Sequence, residues 1–402
     1  MVGADSVQFA LVVDGWFDGE SRQPDGPTTF LVQNGVVADI SQGDHAAALA
    51  ARGLPVERGG YLIPGLVDAH VHLFLDGAPT DAKLRSEHMK QPVEQLAEAA
   101  RRSARQALAA GVTVVRDAGD RHGINNLIRR EAQQVPGSLP MIRSAGLGVK
   151  RPKRYGAFMA SDVVDENDII RSIPEMSTIN DEIKLILTGI IDFEAGAVTD
   201  EPQFTAAEAR LVVEVAKECD RSTFAHCSGA KGLAVAVEAG VGSIEHGFFM
   251  SREILEVMAA KDIAWTPTFC PVHFQWAHPE AVGWSAQTVG NLRRILDDHA
   301  EHLVIARELG VRLLLGTDAG SMGVVHGAAV FDEIDRYVEA GLSLEATLIA
   351  ATSAARRHFG LPQAVLAKGG PFDAVLLDAS PFVEPAALRT PRGVWSAPLC
   401  AA

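Results

Sequence analysis

Short apolar segments alternate with longer helical segments from residue 64 onward, and this alternation constrains the fold more than any other feature of the chain. Eight runs with the length and apolar character of strands occur at 65–72, 112–119, 140–146, 182–189, 222–229, 242–247, 263–269 and 311–320. The segments between them, such as 92–111 and 205–220, carry apolar residues at helical spacing with capping signals at their ends.

Strands that are apolar on both faces belong to parallel sheets covered by helices, and eight such units close into a barrel. The sequence therefore predicts an α/β fold with a (β/α)8 TIM barrel over residues 63–363. An open doubly wound sheet is the alternative. It fits less well, because no strand is followed by a glycine-rich phosphate turn and the polar strand ends are spread over many units.

The two ends of the chain consist of short strand-like runs and turns. Residues 8–60 include an Asn-Gly turn within TTFLVQNGVVADIS, and the tail returns to strand patterns in GPFDAVLLDASPF and GVWSAP. We expect residues 1–62 and 364–402 to pair into one small composite β-sandwich domain that flanks the barrel.

The acidic composition limits the partners of the protein. With 47% hydrophobic and 22% charged residues, a chain of 402 residues can bury a large core. The formal net charge of −15 argues against nucleic acid as a partner, since nucleic-acid surfaces need clustered Lys and Arg. The chain start lacks a basic region, and no apolar segment approaches the roughly 18 residues that span a bilayer, so we expect neither a signal peptide nor membrane attachment.

The cysteines are scattered without paired spacing, which indicates free thiols in a reducing compartment. They are Cys219, Cys227, Cys270 and Cys400. The sequence therefore predicts a cytoplasmic protein.

Titratable side chains lie near the carboxyl ends of five of the predicted strands, where barrel enzymes keep their chemistry. They are His70, His72, Lys184, His226, His246 and Asp318. A lone histidine in a strand is usually a hydrogen-bonded core residue, but His70 and His72 point to the same side of their strand by the period of two. Imidazole nitrogens and a carboxylate are the ligands that zinc-like divalent ions prefer, so the sequence predicts a metal site inside the barrel.

Lys184 is the unusual member of this set, because an ammonium beside metal ions would be repelled and desolvated. The amine could be neutral through a lowered pKa, or CO2 could carboxylate it and turn a cation into a bridging carboxylate. The third alternative is that Lys184 faces the helices and extends to solvent.

The chain resembles the metal-dependent amidohydrolase superfamily over nearly its entire length. The resemblance rests on motifs in the superfamily's order: VVDG, GLVDAHVH, GVTVVRDAG, EIKLILTG, AHCSG, GVGSIEHG, GTDAG, AATSAARRHFG and GPFDAVLLD. Within the superfamily the chain is similar to the imidazolonepropionase-like and Xaa-Pro or Xaa-Arg dipeptidase branch, whose fourth strand carries its lysine in an Ile-Lys dipeptide.

This resemblance implies a binuclear centre of two divalent ions, zinc being the expected metal. The implied ligands are His70, His72 and Asp318 for the first ion, His226 and His246 for the second, and a carboxylated Lys184 that bridges both. Such ions, roughly 3.5–4 Å apart, share a hydroxide that attacks the substrate. Asp318 would act as general base and then as general acid toward the leaving nitrogen. The implied reaction is hydrolysis of a carbon–nitrogen bond in a small amide, peptide or cyclic amide, and the resemblance also implies a homo-oligomer.

The residues that contact the substrate are harder to assign. After strand three the branch shows a loop whose histidine touches the substrate, whereas this chain has GLGVKRPKRYGAF and no histidine there. The basic cluster from Lys150 to Arg154 could meet an anionic group such as a terminal carboxylate, or it could be a solvated loop. The candidate substrate contacts are Tyr155, Arg154, His273 and His326.

Two other functions remain open from the sequence. A mononuclear deaminase of nitrogen heterocycles would keep the histidines and Asp318 but lack Lys184, and it would add a glutamate for which Glu245 is poorly placed. A non-enzymatic assembly protein on the same barrel would lose metal ligands, and here all six are present.

Several other polar residues are expected outside the reaction. Arg116 and Asp117 after strand two are expected to form a pair, and His299 and His302 are expected on a helix surface. Cys227 follows His226 and should point away from the metal.

Overall fold

Strands and helices alternate along the chain in the computed structural model, which describes residues 8–361 and 365–396. The strands are β1 (Gln8–Trp16), β2 (Thr28–Gln33), β3 (Val36–Gln42), β4 (Val56–Pro64), β5 (Leu66–Val71), β6 (Val112–Asp117), β7 (Met141–Ser144), β8 (Gly148–Lys150), β9 (Ala160–Asp162), β10 (Glu182–Ile186), β11 (Ser222–Cys227), β12 (Ser243–His246), β13 (Ala264–Thr266), β14 (Ala374–Leu377) and β15 (Gly393–Trp395). The helices are α1 (Ala46–Ala51), α2 (Ala82–His88), α3 (Val93–Ala109), α4 (Ile124–Gln134), α5 (Glu166–Ser177), α6 (Ala206–Glu218), α7 (Ala230–Ala239), α8 (Arg252–Lys261), α9 (Cys270–Ala277), α10 (Pro279–Val282), α11 (Ala286–Glu308), α12 (Ala328–Glu339), α13 (Leu344–Ala350) and α14 (Ser353–His358).

The strands from both chain ends form one mixed sheet in the order β15-β14-β4-β1-β2-β3. Asn34 and Gly35 connect β2 to β3 with φ angles of 52° and 74°, which fits the predicted Asn-Gly turn. The extra β domain is confirmed, although its described strands belong to a single sheet where the sequence suggested a sandwich. β4 continues to Pro64, past the predicted boundary at residue 62, and the boundary at 363/364 lies outside the described residues. The division into domains therefore stays a prediction.

Gly65 joins this sheet to the first barrel strand at a crowded point. A Cβ atom there would lie 2.0 Å from Oδ1 of Asp373 and 2.1 Å from Oγ1 of Thr113. The buried Arg356 donates from one NH2 group to the same two oxygens, at 2.9 and 2.8 Å. Only glycine fits between these groups, so the β domain is held tightly against the start of β5.

The barrel strands form two parallel sheets, β5-β6-β7 and β13-β12-β11-β10-β8-β9. The predicted eighth strand, 311–320, is not a regular strand among the described elements, yet it closes the barrel. On one side the amide of Leu314 donates to the carbonyl oxygen of Trp265 at 2.8 Å, and on the other the amide of Asp318 donates to that of His70 at 2.8 Å. The two short strands β8 and β9, within the loop that follows the third predicted strand, were not expected.

The helices follow the predicted segments closely. The segment 92–111 contains α3, and 205–220 contains α6. α6 begins with a capping box, in which Thr205 and Glu208 satisfy each other's backbone amides. Within the described residues no helix is long and apolar enough to cross a membrane.

Candidate metal centre

All six predicted metal-site side chains are positioned by the barrel strands or by the segment that closes the barrel. His70 lies in β5 and His72 follows it, Lys184 lies in β10, His226 in β11 and His246 at the end of β12, while Asp318 belongs to the closing segment. The prediction that His70 and His72 point to the same side of their strand is confirmed, because their rings contact each other with centroids 5.6 Å apart.

The histidines and Asp318 converge on one place. The ring of His246 lies 4.9 Å from that of His70 and 4.6 Å from that of His226, measured between centroids. Oδ1 of Asp318 lies 3.7 Å from Nε2 of His70 and 3.9 Å from Nε2 of His72. His70, His72 and Asp318 each offer one ligand atom, and these atoms lie within 4.8 Å of one another, which suits one metal ion.

Two of these residues have a backbone conformation that is rare for side chains other than glycine. His246 has a φ of 68° and Asp318 a φ of 55°, both in the left-handed region. Such residues cost of order 1–3 kcal/mol each and cluster at functional sites. The conformation at His246 allows it and its neighbour Glu245 both to face the barrel interior, where strict strand alternation would send them to opposite sides.

The hydrogen bonds of the imidazoles leave one ring nitrogen of each available to a metal. Three rings bond through Nδ1: His70 to Oε2 of Glu245 at 2.7 Å, His72 to the carbonyl oxygen of Gly119 at 3.1 Å, and His246 to Oγ1 of Thr268 at 2.7 Å. With Nδ1 as donor, Nε2 carries a lone pair. Nε2 of His70 is buried and has no hydrogen-bond partner among the described residues. This arrangement is typical of metal-ligating histidine, so the residues fit a divalent ion.

Burial keeps these histidines neutral. Desolvation lowers the pKa of His226 to about 3 and those of the other three rings well below their ordinary value, and the charge of Lys184 lowers them further; those three are His70, His72 and His246. Neutral imidazole is the form that binds a metal. Burial also raises the pKa of the Asp318 carboxyl, which the charge of Lys184 opposes.

Lys184 lies inside the barrel, so the alternative in which it extends to solvent is wrong. Its side chain is fully buried, and Nζ lies 3.2 Å from Sδ of Met159 and 5.8 Å from the centroid of the Phe224 ring. Burial lowers the pKa of the Lys184 amine, and the charge of Asp318 opposes that change. A lowered pKa favours the neutral amine, and the neutral amine is the form that can react with CO2.

The candidate substrate contacts differ in how close they lie to the candidate metal centre. The ring of Tyr155 lies 5.2 Å from the ring of His226, and Phe158, which the sequence did not single out, lies 5.9 Å from the ring of His72. His326 is buried in the loop after Asp318, with Nε2 3.2 Å from the carbonyl oxygen of Leu75. Tyr155 and Phe158 therefore form an aromatic wall beside the candidate metal ligands.

The other two candidate contacts have partners elsewhere. Arg154 donates to the carbonyl oxygen of Glu201, and His273 accepts from Arg336 at 2.5 Å. Neither contacts the metal cluster within the part of the chain that the structure describes. Their roles stay predictions.

Two other residues of the basic cluster form ion pairs with nearby acidic side chains. Lys150 pairs with Asp162 at 2.5 Å, and Arg151 pairs with Glu208 at 2.5 Å. These pairs occupy two of the charges that an anionic substrate group could otherwise meet.

Sequence reasoning missed the most buried ion pair of the barrel. Arg116 does not pair with Asp117; it donates to Oε1 of Glu245 at 2.6 Å, and both side chains are fully buried. The Asp117 carboxylate accepts instead from the backbone amides of Leu73 and Gly119, at 3.1 and 2.9 Å. The available signal was the presence of charged residues within otherwise apolar strands.

The prediction for His299 was also wrong, because its ring is fully buried and stacks on Phe248 at 4.0 Å between centroids. His302 is half-buried, with Nδ1 2.8 Å from the carbonyl oxygen of Asp298. Cys227 points away from the cluster as predicted, since a Cβ at Gly232 of α7 would lie 3.0 Å from its Sγ. Cys219, Cys227 and Cys270 are free thiols, and Cys400 lies outside the described residues.

Comparison with known proteins identifies the family. The model described as Amidohydrolase family matches residues 61–398. An uncharacterised protein of Mycobacterium tuberculosis is 27% identical over 304 residues, 76% of either chain. Ochratoxinase of Aspergillus niger is 29% identical over 198 residues, which cover 48% of this chain and 40% of the ochratoxinase.

Solved structures show the same fold. A Xaa-Pro dipeptidase with bound methionine in its active site has a TM-score of 0.82 at 21% identity, covering 98% of this chain and 99% of that chain. Aspergillus niger ochratoxinase has a TM-score of 0.80 at 20% identity, covering 98% and 95%. The predicted TIM barrel with an extra β domain is thereby confirmed. This chain belongs to the amidohydrolase family and is a hydrolase that acts on carbon–nitrogen bonds.

Proposed function

We propose that the protein is a binuclear metal-dependent hydrolase that cleaves the carbon–nitrogen bond of a small, carboxylate-bearing amide. The observation that carries the proposal is the convergence of four neutral histidines, a carboxylate and a buried lysine inside one barrel. Zinc suits this set, since it prefers imidazole and carboxylate ligands.

The proposed ligands divide into two sets. His70, His72 and Asp318 would hold the first ion, and His226 and His246 would hold the second. Lys184, carboxylated by CO2, would link the two sets, and its burial close enough to Asp318 for their charges to interact supports this role.

The bound ions would supply Lewis-acid polarisation of the substrate carbonyl and activate a water molecule. The Asp318 carboxylate accepts the proton of the attacking water and transfers it to the leaving nitrogen. Burial raises the pKa of the Tyr155 hydroxyl, so it stays protonated and can donate a hydrogen bond to the substrate oxygen. The aromatic wall of Tyr155 and Phe158 excludes water from one side of the reacting bond.

The proposed substrates are dipeptides and N-acyl amino acids. The name of one protein of similar fold, a Xaa-Pro dipeptidase, supports dipeptides as substrates. A cyclic amide is the competing substrate form within the same reaction class.

A mononuclear deaminase is less well supported. The glutamate that such an enzyme needs must face the substrate with a free carboxyl group, whereas both oxygens of Glu245 are bonded, one to Arg116 and one to His70. Both carboxylate oxygens of Glu245 are therefore already hydrogen-bonded to other described residues, and neither is free to face a substrate.

The first experiment is elemental analysis of protein purified without chelators, followed by a hydrolysis panel of dipeptides, N-acyl amino acids and cyclic amides. Close to two divalent ions per chain, with turnover of a carboxylate-bearing amide, is the expected result. One ion per chain with ammonia release from a heterocycle would replace the proposal with the deaminase. The homo-oligomeric state and the cytoplasmic location stay predictions.

A further inference from the structure

Three fully buried side chains form a continuous chain of charged hydrogen bonds beneath the candidate metal centre. Arg116 donates from its NH2 group to Oε1 of Glu245 at 2.6 Å, and Nδ1 of His70 donates to Oε2 of the same carboxylate at 2.7 Å. Each of the three is fully buried. The free Nε2 of His70 then points toward the centre.

We propose that Glu245, held by Arg116, is a positioning residue that sets the affinity of the first metal site through His70. Glu245 fixes the orientation and tautomer of the His70 ring and makes Nε2 a more basic ligand. This inference rests on the proposed function, since it concerns how the chain's own residues prepare for the metal.

The position of the Glu245 carboxylate is itself fixed on several sides. Oε1 also accepts from the hydroxyl of Ser243 at 2.6 Å. Nε of Arg116 donates to the carbonyl oxygen of Ala69 at 2.7 Å, and the guanidinium packs 4.3 Å from the ring centroid of Phe224. Because Ala69 precedes His70, Arg116 holds both the carboxylate and the backbone of the strand that carries the ligand.

The group that accepts the hydrogen bond of His70 differs in charge from the groups that accept those of His72 and His246. His72 uses a backbone carbonyl and His246 a hydroxyl, both neutral, whereas His70 uses a carboxylate. A hydrogen bond to an ionised group is roughly twice as strong as a neutral one. A carboxylate that accepts from a ligating histidine raises the basicity of the ligand, and losing such a partner costs ~10–100-fold in metal affinity.

A purely structural ion pair is the competing explanation, and the barrel offers a matched control for it. Glu182 is also buried, and its Oε1 lies 3.7 Å from NH1 of Arg116. Its hydrogen bonds go to Ser222 and Arg143 and to none of the candidate ligands. Glu182→Gln therefore removes a buried charge beside Arg116 without touching His70.

The test is competitive titration of Zn²⁺ against a chromophoric chelator, using wild type, Glu245→Gln and Glu182→Gln stripped of metal. The visible spectrum of the first equivalent of Co²⁺ is recorded for each protein. We expect Glu245→Gln to bind its first ion ~10–100-fold more weakly and to change the Co²⁺ spectrum. Glu182→Gln should keep the wild-type affinity and spectrum, even if its melting temperature falls as far as that of Glu245→Gln.

Equal affinities for the first ion in Glu245→Gln and wild type, or equal losses in both variants, would overturn the inference. Glu245→Asp keeps the charge beside Arg116 but retracts the carboxylate from His70, so it must also weaken the first site if the glutamine variant does not fold. Wild-type protein that binds no divalent ion would refute the proposed function itself, which this titration detects separately.

Discussion

The candidate metal centre has two sides, one for each proposed ion, and they differ in how many candidate ligands the folded chain brings together. On the first side His70, His72 and Asp318 converge within 4.8 Å, and His70 rests on a buried ionic chain. On the second side His226 and His246 contact each other, but within the described residues no carboxylate or thiol joins them at that distance. The chain itself brings together three candidate ligands on the first side, whereas the second side as proposed needs Lys184 to become a carboxylate.

A neutral hydroxyl supports His246 on the second side. Nδ1 of His246 bonds to Thr268, which has a φ of 50° in the turn after β13. The carboxylate of Glu333 accepts from the backbone amides of Phe269 and Cys270 at 2.7 and 2.9 Å, and Nε2 of His299 lies 2.9 Å from the carbonyl oxygen of Pro267. Glu333 and His299 thus hold the turn that carries Thr268, and the group that bonds His246 is a hydroxyl rather than a carboxylate.

Lys184→Ala should have the largest effect on the centre, because it removes the only group proposed to link the two sides. We expect loss of one of two bound ions and a fall in kcat/KM greater than the ~100-fold typical of residues that support a ligand from behind. Metal analysis and steady-state kinetics measure both, and a short added carboxylate should restore part of each.

Lys150→Ala is the matched control for that variant, since Lys150 is a buried lysine of the adjacent strand that pairs with Asp162. It should keep both ions. Two ions and full rate in Lys184→Ala would remove the bridging role.

Thr268→Val should weaken metal binding on the second side alone. Losing a neutral partner of His246 should reduce affinity for the second ion about 10-fold, at the low end for such partners, and leave the first ion unchanged. Stepwise Zn²⁺ titration measures the two constants. Thr223→Val, which removes a buried hydroxyl that bonds only to the amide of Gly242, is the control, and equal effects in the two variants would contradict the role of Thr268.

The smallest effect concerns His299, which supports the second side from α11. Burial lowers its pKa from 6.5 to about 3, so below pH 6.5 the unfolded chain binds a proton that the folded protein does not. Stability is therefore lost as pH falls, by about 1.4 kcal/mol per pH unit for this group. Urea unfolding at pH 7 and pH 5 should show that His299→Phe loses about 2 kcal/mol less than wild type over this range. Parallel losses in the two proteins would show that His299 is not buried neutral.

The alternation of strands and helices was sufficient to predict the barrel, and the period of two in β5 was sufficient to predict that His70 and His72 lie on the same side of that strand. Both are local patterns, in which the spacing of apolar residues fixes which side chains face inward. The shared direction of the His70 and His72 side chains could therefore be predicted from their spacing of two residues.

The supporting groups could not be predicted in this way, because they depend on contacts between distant strands. Arg116 and Glu245 are 129 residues apart, and nothing near Arg116 in sequence indicates that its partner lies in β12 rather than at Asp117. The left-handed backbone at His246 also reverses the direction that simple alternation assigns to its side chain. His299 was misplaced because one polar residue on a long helix does not reveal that aromatic rings surround it.

The order of the mixed sheet has a consequence for biosynthesis. β4 lies between β1 and β14, and roughly 300 residues separate β4 from β14 along the chain. At about 5–20 residues per second, a ribosome takes ~15–60 s to cover that interval. During this time one edge of β4 has no native neighbour, and an open strand edge is a template for pairing with another chain. The speed of translation, rather than the stability of the finished protein, sets how long the nascent chain is exposed to that error.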